Sequence, residues 1–309
     1  MENLGYYNGK FGPLDEMTVP FNDRVHFFGD GVYEATPARN HKIFALDEHV
    51  DRFFRSAALL DIKIPHTKDE LKAILSDMVK KVDSGEQFVY WQVTRGTAMR
   101  NHIYADDMQG NLWISLKPAP LKDVYKPIAA ITAEDTRFFH CNIKTLNLLP
   151  AVMYAQAAER AGVYETILYR RTDTTPATST AVPPLYAQPG TAHVTPPADA
   201  RVTECAHSNI HIINEKGEFQ TAPTDNLILP GIARIHLIRA CAALGIPVRE
   251  EPFTVTEMMA AREVIISSSS APAMHCVTID DQPVGGRAAD TVRALQDYVM
   301  EEIFTATQA

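Results

Sequence analysis

No run of apolar residues in the 309-residue chain approaches the ~20 needed to cross a bilayer as a helix. The opening Met1-Glu2-Asn3-Leu4-Gly5 has no basic segment followed by an apolar core, so no secretory signal is expected. Cysteine is scarce. Cys141, Cys205, Cys241 and Cys276 lie far apart without a C-x-x-C pair, which suits free thiols in a reducing cytoplasm better than a disulfide or zinc framework. No metal site is expected. Basic charge is in deficit: 29 Lys and Arg stand against 38 Asp and Glu, a net charge of −9. With no compact basic cluster, a nucleic-acid partner is not expected. What is present, 46% hydrophobic and 22% charged residues, is ordinary for a globular protein and long enough for two cores. The expectation is a two-domain cytoplasmic protein with neither a nucleic-acid nor a membrane partner.

The first half reads as an α/β mixture. Asp47 is expected to cap a helix carrying Val50, Phe53, Phe54, Ala57 and Leu60 at helical spacing. Thr67 and Glu70 form a capping-box pattern ahead of the stripe Leu71, Ile74, Leu75, Met78, Val79, Val82. Strands are expected over 87–94 and 111–117, the first alternating Phe88, Tyr90, Gln92 against Val89, Trp91, Val93. These place a small N-terminal domain at 1–118, ending on Pro118, and a connection at 119–125 that holds Pro120. A larger domain then covers 126–309. It opens with a strand near 128–133 and a helix over about 147–161, with Pro150 in its first turn and Gly162 as the stop. A strand over 165–171 follows. The stretch 172–200 carries Pro176, Pro183, Pro184, Pro189, Pro196 and Pro197. So much proline cannot supply the donors of a central strand, so this is expected to be an inserted excursion. Beyond it come 202–213, a hairpin around Glu215-Lys216-Gly217, a helix over 231–244 closed by Gly245, a buried strand over 263–267 and a helix over 288–304.

Lys144 stands where an apolar strand ends and a helix begins, with almost no other charge nearby. It is either an ordinary solvated side chain or a partly buried amine, and a desolvated amine can attack a carbonyl. A phosphorylated aldehyde cofactor would need such an amine to form a Schiff base. It would also need a carboxylate to hold a proton on a pyridine nitrogen, which Glu204 could supply, making the ring an electron sink. Its phosphate would need backbone N–H groups at a helix start, as in Leu229-Pro230-Gly231-Ile232-Ala233-Arg234. Ser267-Ser268-Ser269-Ser270 could add hydroxyl donors and Arg52 a bidentate cation. Each alone has an ordinary reading: a turn, a loop, a surface charge.

Their order along the chain resembles the fold-type IV, branched-chain-like, pyridoxal-phosphate aminotransferases, most closely the D-amino-acid aminotransferases. The segments that carry the resemblance begin with Phe28-Gly29-Asp30-Gly31-Val32-Tyr33-Glu34, Glu48-His49-Val50-Asp51-Arg52 and Gln92-Val93-Thr94-Arg95-Gly96. They continue with Ile143-Lys144-Thr145-Leu146-Asn147, Val202-Thr203-Glu204, Ser208-Asn209 and Leu229 to Arg234. The resemblance implies an α/β (α+β) fold with a small N-terminal α/β sandwich and a larger C-terminal α/β pseudo-barrel domain. It makes Lys144 the Schiff-base lysine and the base that moves the substrate α-proton, and Glu204 the partner of the pyridine nitrogen. Arg52, Ile232, Ala233 and Ser269 would hold the phosphate, with Ser208, Asn209, Leu229, Gly231 and Ser268 as further cofactor-binding candidates. Tyr33, Arg100 and His102 would trap the substrate α-carboxylate, the arginine and histidine reaching in from a second subunit, so a homodimer is implied.

The implied reaction is ping-pong transfer of an amino group from a D-amino acid to a 2-oxo acid, with D-alanine and 2-oxoglutarate as first expectations. The alternatives on the same fold are a branched-chain L-aminotransferase, an aminodeoxychorismate lyase and an (R)-amine transaminase. Three departures stand out. Cys205-Ala206-His207 replaces small hydroxyl residues, Ala233 replaces a frequent threonine, and the 172–200 insertion falls where a tight hairpin is expected.

Overall fold

The structure, a computed structural model, describes residues 2–171 and 196–309. These form two compact units. One comprises Met1–Lys122, Ile143–Asn147 and Glu302–Ala309, the other Asp123–Asn142 and Leu148–Glu301. The excursion expected over 172–200 lies outside the described residues as far as 195.

The first unit is built on six strands: β1 (Leu4–Tyr7), β2 (Lys10–Gly12), β3 (Gly31–Arg39), β4 (Lys42–Ile43), β5 (Glu86–Thr94) and β6 (Asn111–Pro118). They pair antiparallel in the order β2-β1-β6-β5-β3-β4. The alternation read in β5 sorts the two faces of this sheet. Val89, Trp91 and Val93 are buried beside Leu112, Ile114 and Leu116, while Phe88, Tyr90 and Gln92 lie on the other face, partly buried. The inner face packs on α2 (Leu46–Leu59) and α3 (Lys68–Met78) through Val50, Phe53, Leu71 and Leu75. Thr67 caps α3 with the reciprocal Glu70 contact, as its sequence predicts. Asp47 does not cap α2. Ala45, in a left-handed conformation, precedes the helix, and Asp47 sits in its first turn. There the positive end of the helix favours a carboxylate, and Asp47 also accepts from Lys72 Nζ at 3.0 Å. A short helix, α1 (Val25–Phe28), leads into β3.

Ile143–Asn147 lies along the edge of β3, although Asp123–Asn142 of the second unit precedes it in the chain. Tyr33 N donates to Lys144 O, Leu146 N donates to Gly31 O, each at 3.0 Å, and Thr145 bridges Val32. Ile143 joins the hydrophobic core of this unit. Gly31 explains how the segment comes so close. A Cβ there would stand 2.5 Å from Val93 O and 2.6 Å from Leu146 Cδ1.

The second unit contains β7 (Ile128–Glu134), α4 (Leu149–Ala161), β8 (Glu165–Arg170), β9 (Arg201–Cys205), β10 (Asn209–Ile213) and β11 (Phe219–Thr221). It continues with α5 (Ile232–Leu244), β12 (Val248–Glu250), α6 (Val255–Met259), β13 (Glu263–Ser268), β14 (Ala271–Ile279) and β15 (Gln282–Pro283). Most of α7 (Ala289–Ala306) follows. Its sheet runs β12-β11-β10-β13-β14-β7-β8-β9, with β15 paired to β14. Five strand spacings separate β10 from β9 in that order, about 24 Å in a flat sheet. Yet only Ala206-His207-Ser208 joins β9 to β10, a reach of about 14 Å. The sheet therefore curls into a half-barrel, and Cys205 N donates to Ser208 O at 2.7 Å where its two arms meet. One core packs Leu237, Ala240 and Cys241 of α5 with Phe219, Ile265, Val292, Leu295 and Val299. Another holds Tyr154 against Leu168. The helix expected from 147 begins two residues later, because the Asn147 side-chain amide is engaged outside it, donating to Gly29 O at 3.1 Å.

Gly31→Ala is expected to lower stability by about 1–3 kcal/mol through overpacking and to push the Lys144 segment off β3. Chemical denaturation measures the first. Slower reaction of Lys144 with an aldehyde probe reports the second.

Candidate active site

The segment on β3 fixes where Lys144 goes. Its backbone is held by Tyr33 on one side and by Ser56 on the other, where Lys144 N donates to Ser56 Oγ at 3.3 Å. The side chain is partly buried, and its Nζ lies 4.2 Å from the centroid of the Tyr33 ring. An ammonium or amine over an aromatic face is shielded from water on that side. Tyr33 itself stacks on Tyr90 at 5.5 Å between centroids, and Tyr90 donates to Gln92 Oε1 at 2.8 Å. Tyr33 is thus a fixed wall rather than a free rotor.

Beneath this wall, on the helix-packed face, Glu34 is fully buried. Arg52 Nε donates to its Oε1 at 2.6 Å, the second Arg52 nitrogen donates to Oε2 at 2.8 Å, and His49 Nδ1 approaches Oε2 at 2.6 Å. Burial alone would raise the Glu34 carboxyl. The guanidinium and the imidazole overcome it and hold the group well below the usual carboxylate range. Burial lowers His49, and Lys144 adds to that effect, so the imidazole is neutral at pH 7. Arg52, expected as a phosphate cation, therefore has a bidentate carboxylate partner inside the first unit. Its charge is spent in part on Glu34.

Arg100 and His102 project from the exposed loop after β5. Both pack on one ring: the Arg100 guanidinium lies 5.3 Å from the Phe28 centroid and the His102 ring 5.1 Å from it. A guanidinium and an imidazole are thus presented together, a donor set suited to a carboxylate. The described chain does not bring Tyr33 to them. It remains on the sheet, stacked on Tyr90.

In the second unit Glu204, near the end of β9, is buried and holds three partners. Arg137 Nη1 donates to Oε1 at 2.5 Å, while Asn209 Nδ2 and Leu229 N each donate to Oε2 at 3.0 Å. Burial pushes the Glu204 carboxyl upward, and the Arg137 guanidinium pulls against it. Asn209 also donates to Leu229 O at 3.0 Å, which ties the carboxylate to the turn before α5. That turn ends in Gly231, the extended N-cap of α5, with no side chain over the helix N-terminus. A Cβ on Gly231 would meet Asn209 Oδ1 at 2.0 Å, so only glycine fits. The open first turn at Ile232 and Ala233 leaves oriented N–H groups suited to an anion. Asn209 pairs with Ser267 across β10 and β13, and Ser268-Ser269-Ser270-Ala271 forms the tight hairpin beyond it, with Ser268 Oγ 3.5 Å from Ser270 Oγ. Ser208 points elsewhere: its Oγ donates to the buried Glu165 at 2.9 Å, beside His207 Nδ1 at 2.7 Å. The structure thus joins Glu204, Asn209, Leu229 and Gly231 directly and leaves Ser208 on Glu165.

Sequence reading missed Asp135 and Arg137. Arg137 bridges Glu204 to Asp135, which also accepts from Arg170 and Thr203. Burial opposes ionisation of Asp135, but Arg137 and its other donors hold its carboxyl below the usual range. The signal available was Asp135-Thr136-Arg137, two opposite charges just past an apolar strand and close to Lys144. The four cysteines are free and buried. Burial pushes Cys141 up to about 11, Cys276 to about 12, and Cys205 well above its ordinary value. None of these three thiols is a nucleophile at pH 7.

The amino-transferase class IV family model matches residues 31–200 and 194–279. A D-alanine aminotransferase from Listeria monocytogenes serotype 4b is 35% identical over 94% of this chain and 93% of its own. The chain belongs to the class IV aminotransferases. A D-alanine aminotransferase from Bacillus licheniformis is 32% identical over 96% and 97%. In three dimensions the chain is similar to a branched-chain aminotransferase from Thermoproteus uzoniensis. The TM-score is 0.80 with 20% identity, over 99% of this chain and 95% of that one. The mixed α/β fold is that of the fold-type IV enzymes, and members of the family use pyridoxal phosphate. The donor set fits that group. It offers a shielded amine, a buried carboxylate paired with an arginine, and a helix start where a glycine leaves no room for a Cβ.

Glu34→Gln is expected to cost about 3–5 kcal/mol at pH 7, because it strands Arg52. The folded carboxyl lies below its unfolded value of about 4.3. Its contribution is therefore full above that pH and lost as pH falls through the folded value. Urea midpoints of native and variant protein should stay far apart above about pH 4 and begin to approach each other only as pH falls below it.

Proposed function

We propose that this protein is a D-amino-acid:2-oxo-acid aminotransferase. It would take the amino group of a D-amino acid such as D-alanine and pass it to 2-oxoglutarate, giving pyruvate and D-glutamate. The observation that carries the reading is the packing of Arg100 and His102 against the same ring, Phe28, on a chain about one-third identical to D-alanine aminotransferases over nearly its whole length. Likeness to branched-chain enzymes at 20% identity concerns the fold alone.

When bound, pyridoxal phosphate would supply an aldehyde for the amino group and a ring that accepts the electron pair left when Cα loses its proton. Lys144 would supply the amine that holds the aldehyde in the resting enzyme. Once freed, its Nζ would take the proton from Cα and deliver it to the carbon that was the cofactor's aldehyde, from the side that the Tyr33 wall leaves open. Glu204, paired with Arg137 and steadied by Asn209 and the Leu229 amide, would hold a proton on the ring nitrogen. Gly231, the Ile232 and Ala233 amides and the Ser268-Ser269 turn would bind the phosphate, with Arg52 orienting the lysine side of the site. Tyr33, together with Arg100 and His102 reaching in from a second copy of the chain, would fix the substrate α-carboxylate. That contact decides which enantiomer turns its Cα–H toward Lys144.

The reading includes a homodimer and a cytoplasmic location. Phe21 is 90%, Met99 81% and Ile103 79% exposed, an apolar fringe beside the Arg100–His102 loop that a second copy would cover. Four free, buried thiols suit a reducing compartment.

Lys144→Ala is expected to reduce steady-state transfer from D-alanine to 2-oxoglutarate by at least about a thousandfold. Near-native turnover would refute the lysine's role. Arg100→Ala should raise the KM for D-alanine about ten- to hundredfold, with cofactor affinity, followed by absorbance, unchanged. Equal losses in both would refute the carboxylate role.

A further inference from the structure

The exposed loop carrying Arg100 and His102 needs a reason to hold one conformation, since loops with few buried contacts ordinarily sample many. Its own side chains supply little: Arg100, Asn101, His102 and Ile103 are all exposed. The reason lies in a residue outside the loop. Arg24 is buried, with 4% of its side chain exposed. Its Nε donates to Asp30 Oδ2 at 2.8 Å, its Nη1 to Asn101 O at 2.5 Å and its Nη2 to His102 O at 3.4 Å.

Asp30 is itself fixed by Arg95, whose Nε lies 3.0 Å from both carboxylate oxygens and whose Nη groups donate to Asp61 O and Leu60 O. The base of the loop is pinned by the same stretch of chain. Arg24 N donates to Gly96 O at 3.0 Å and Ala98 N to Asn22 O at 3.1 Å, and Asp23 bridges Thr97. Tyr104, past the functional pair, lies under the Arg95 guanidinium at 3.8 Å and that of Arg24 at 5.9 Å. Finally, Arg24 sits 5.0 Å from the centroid of Phe28, the ring on which Arg100 and His102 both rest. One buried guanidinium thus grips the two carbonyls between and beneath the functional side chains and backs the ring that supports them. An arginine does this where a lysine would not, because its planar fork sends parallel donors to neighbouring carbonyls while a third serves Asp30.

We propose that Arg24, braced by Asp30, is the positioning residue for substrate-carboxylate recognition: by holding Asn101 O and His102 O it presents Arg100 and His102 side by side over Phe28. This rests on the reading of Arg100 and His102 as carboxylate binders. It implies that Arg24 acts on the KM for both amino acid and 2-oxo acid through the loop, without touching either.

The test uses the cofactor-loaded enzyme with Arg24→Met, which leaves Asp30 its second partner Arg95, and with Phe28→Leu, which removes the supporting ring but no charge. Each is made in the native and in an Arg100→Ala/His102→Ala background. The concentration dependence of the D-alanine half-reaction gives KM and kcat, and absorbance titration gives cofactor affinity. In the native background each variant should raise KM about ten- to hundredfold, with kcat within about threefold and cofactor affinity unchanged. In the double-alanine background each should add less than about twofold, because coupled residues lose their effect once the partner is gone. An unchanged KM in the native background, or an equal rise in both backgrounds, overturns the proposal. Should Arg24→Met fail to fold, Phe28→Leu decides by the same two criteria. If the double-alanine change itself leaves KM untouched, the carboxylate reading falls and Arg24's role with it. If that change raises KM but Arg24→Met and Phe28→Leu do not, only the role given to Arg24 falls.

Discussion

Two backbone hydrogen bonds, from Tyr33 N to Lys144 O and from Leu146 N to Gly31 O, set the position of everything proposed for the first unit. They bring a five-residue segment back to the edge of β3 from beyond the Asp123–Asn142 stretch of the second unit. They do so only because Gly31 has no Cβ to strike Val93 O and Leu146. With the segment seated, the neighbouring residues of β3 divide the work by the two-residue period of a strand. Tyr33 faces outward as the wall over Lys144 Nζ. Glu34 faces inward, its charge balanced by Arg52 and its Oε2 hydrogen-bonded to His49. One strand thus carries an aromatic shield on one face and a buried ion cluster on the other.

The second unit solves a different electrostatic problem. A carboxylate buried as deeply as Glu204 resists ionisation, while the role proposed for it, holding a proton on a pyridine nitrogen, calls for negative charge. The chain answers with Arg137, which is itself anchored by Asp135, so that charge alternates through the interior as Asp135, Arg137, Glu204. Pairing each group with an opposite charge and hydrogen bonds lowers the cost of burial below that of an isolated ion. Asn209 then couples Glu204 to the Gly231 turn, so the carboxylate and the open helix start move as one body.

Much of this was legible in the sequence where periodicity or steric necessity speaks. The alternation in β5, the capping box at Thr67 and Glu70, Pro150 inside α4 and the stops at Gly162 and Gly245 follow from local chemistry, and the structure reproduces them. Gly31 and Gly231 lie in motifs that the sequence singles out. Their reasons, an approaching segment and the Asn209 side chain, appear only in three dimensions. Asp47 was misplaced because an acidic residue at a helix start serves a cap or a first turn equally well, and the left-handed Ala45 that decided between them has no side-chain signature. Arg52 was expected to be a phosphate cation. Its bidentate engagement by Glu34 could not be seen, because the pairing joins a strand to a helix. Asp135 and Arg137 were missed for the same reason. Their partners Glu204, Arg170 and Thr203 are scattered along the chain and meet only when the half-barrel curls.

The central claim is that the chain transaminates D-amino acids. The most direct test follows the absorbance of the purified, cofactor-loaded protein in a single turnover after adding D-alanine, with L-alanine and L-leucine in parallel. Rapid bleaching of the resting absorbance band with D-alanine alone is the predicted result. Bleaching with L-leucine and none with D-alanine would contradict the account and move the protein to the branched-chain branch of the family.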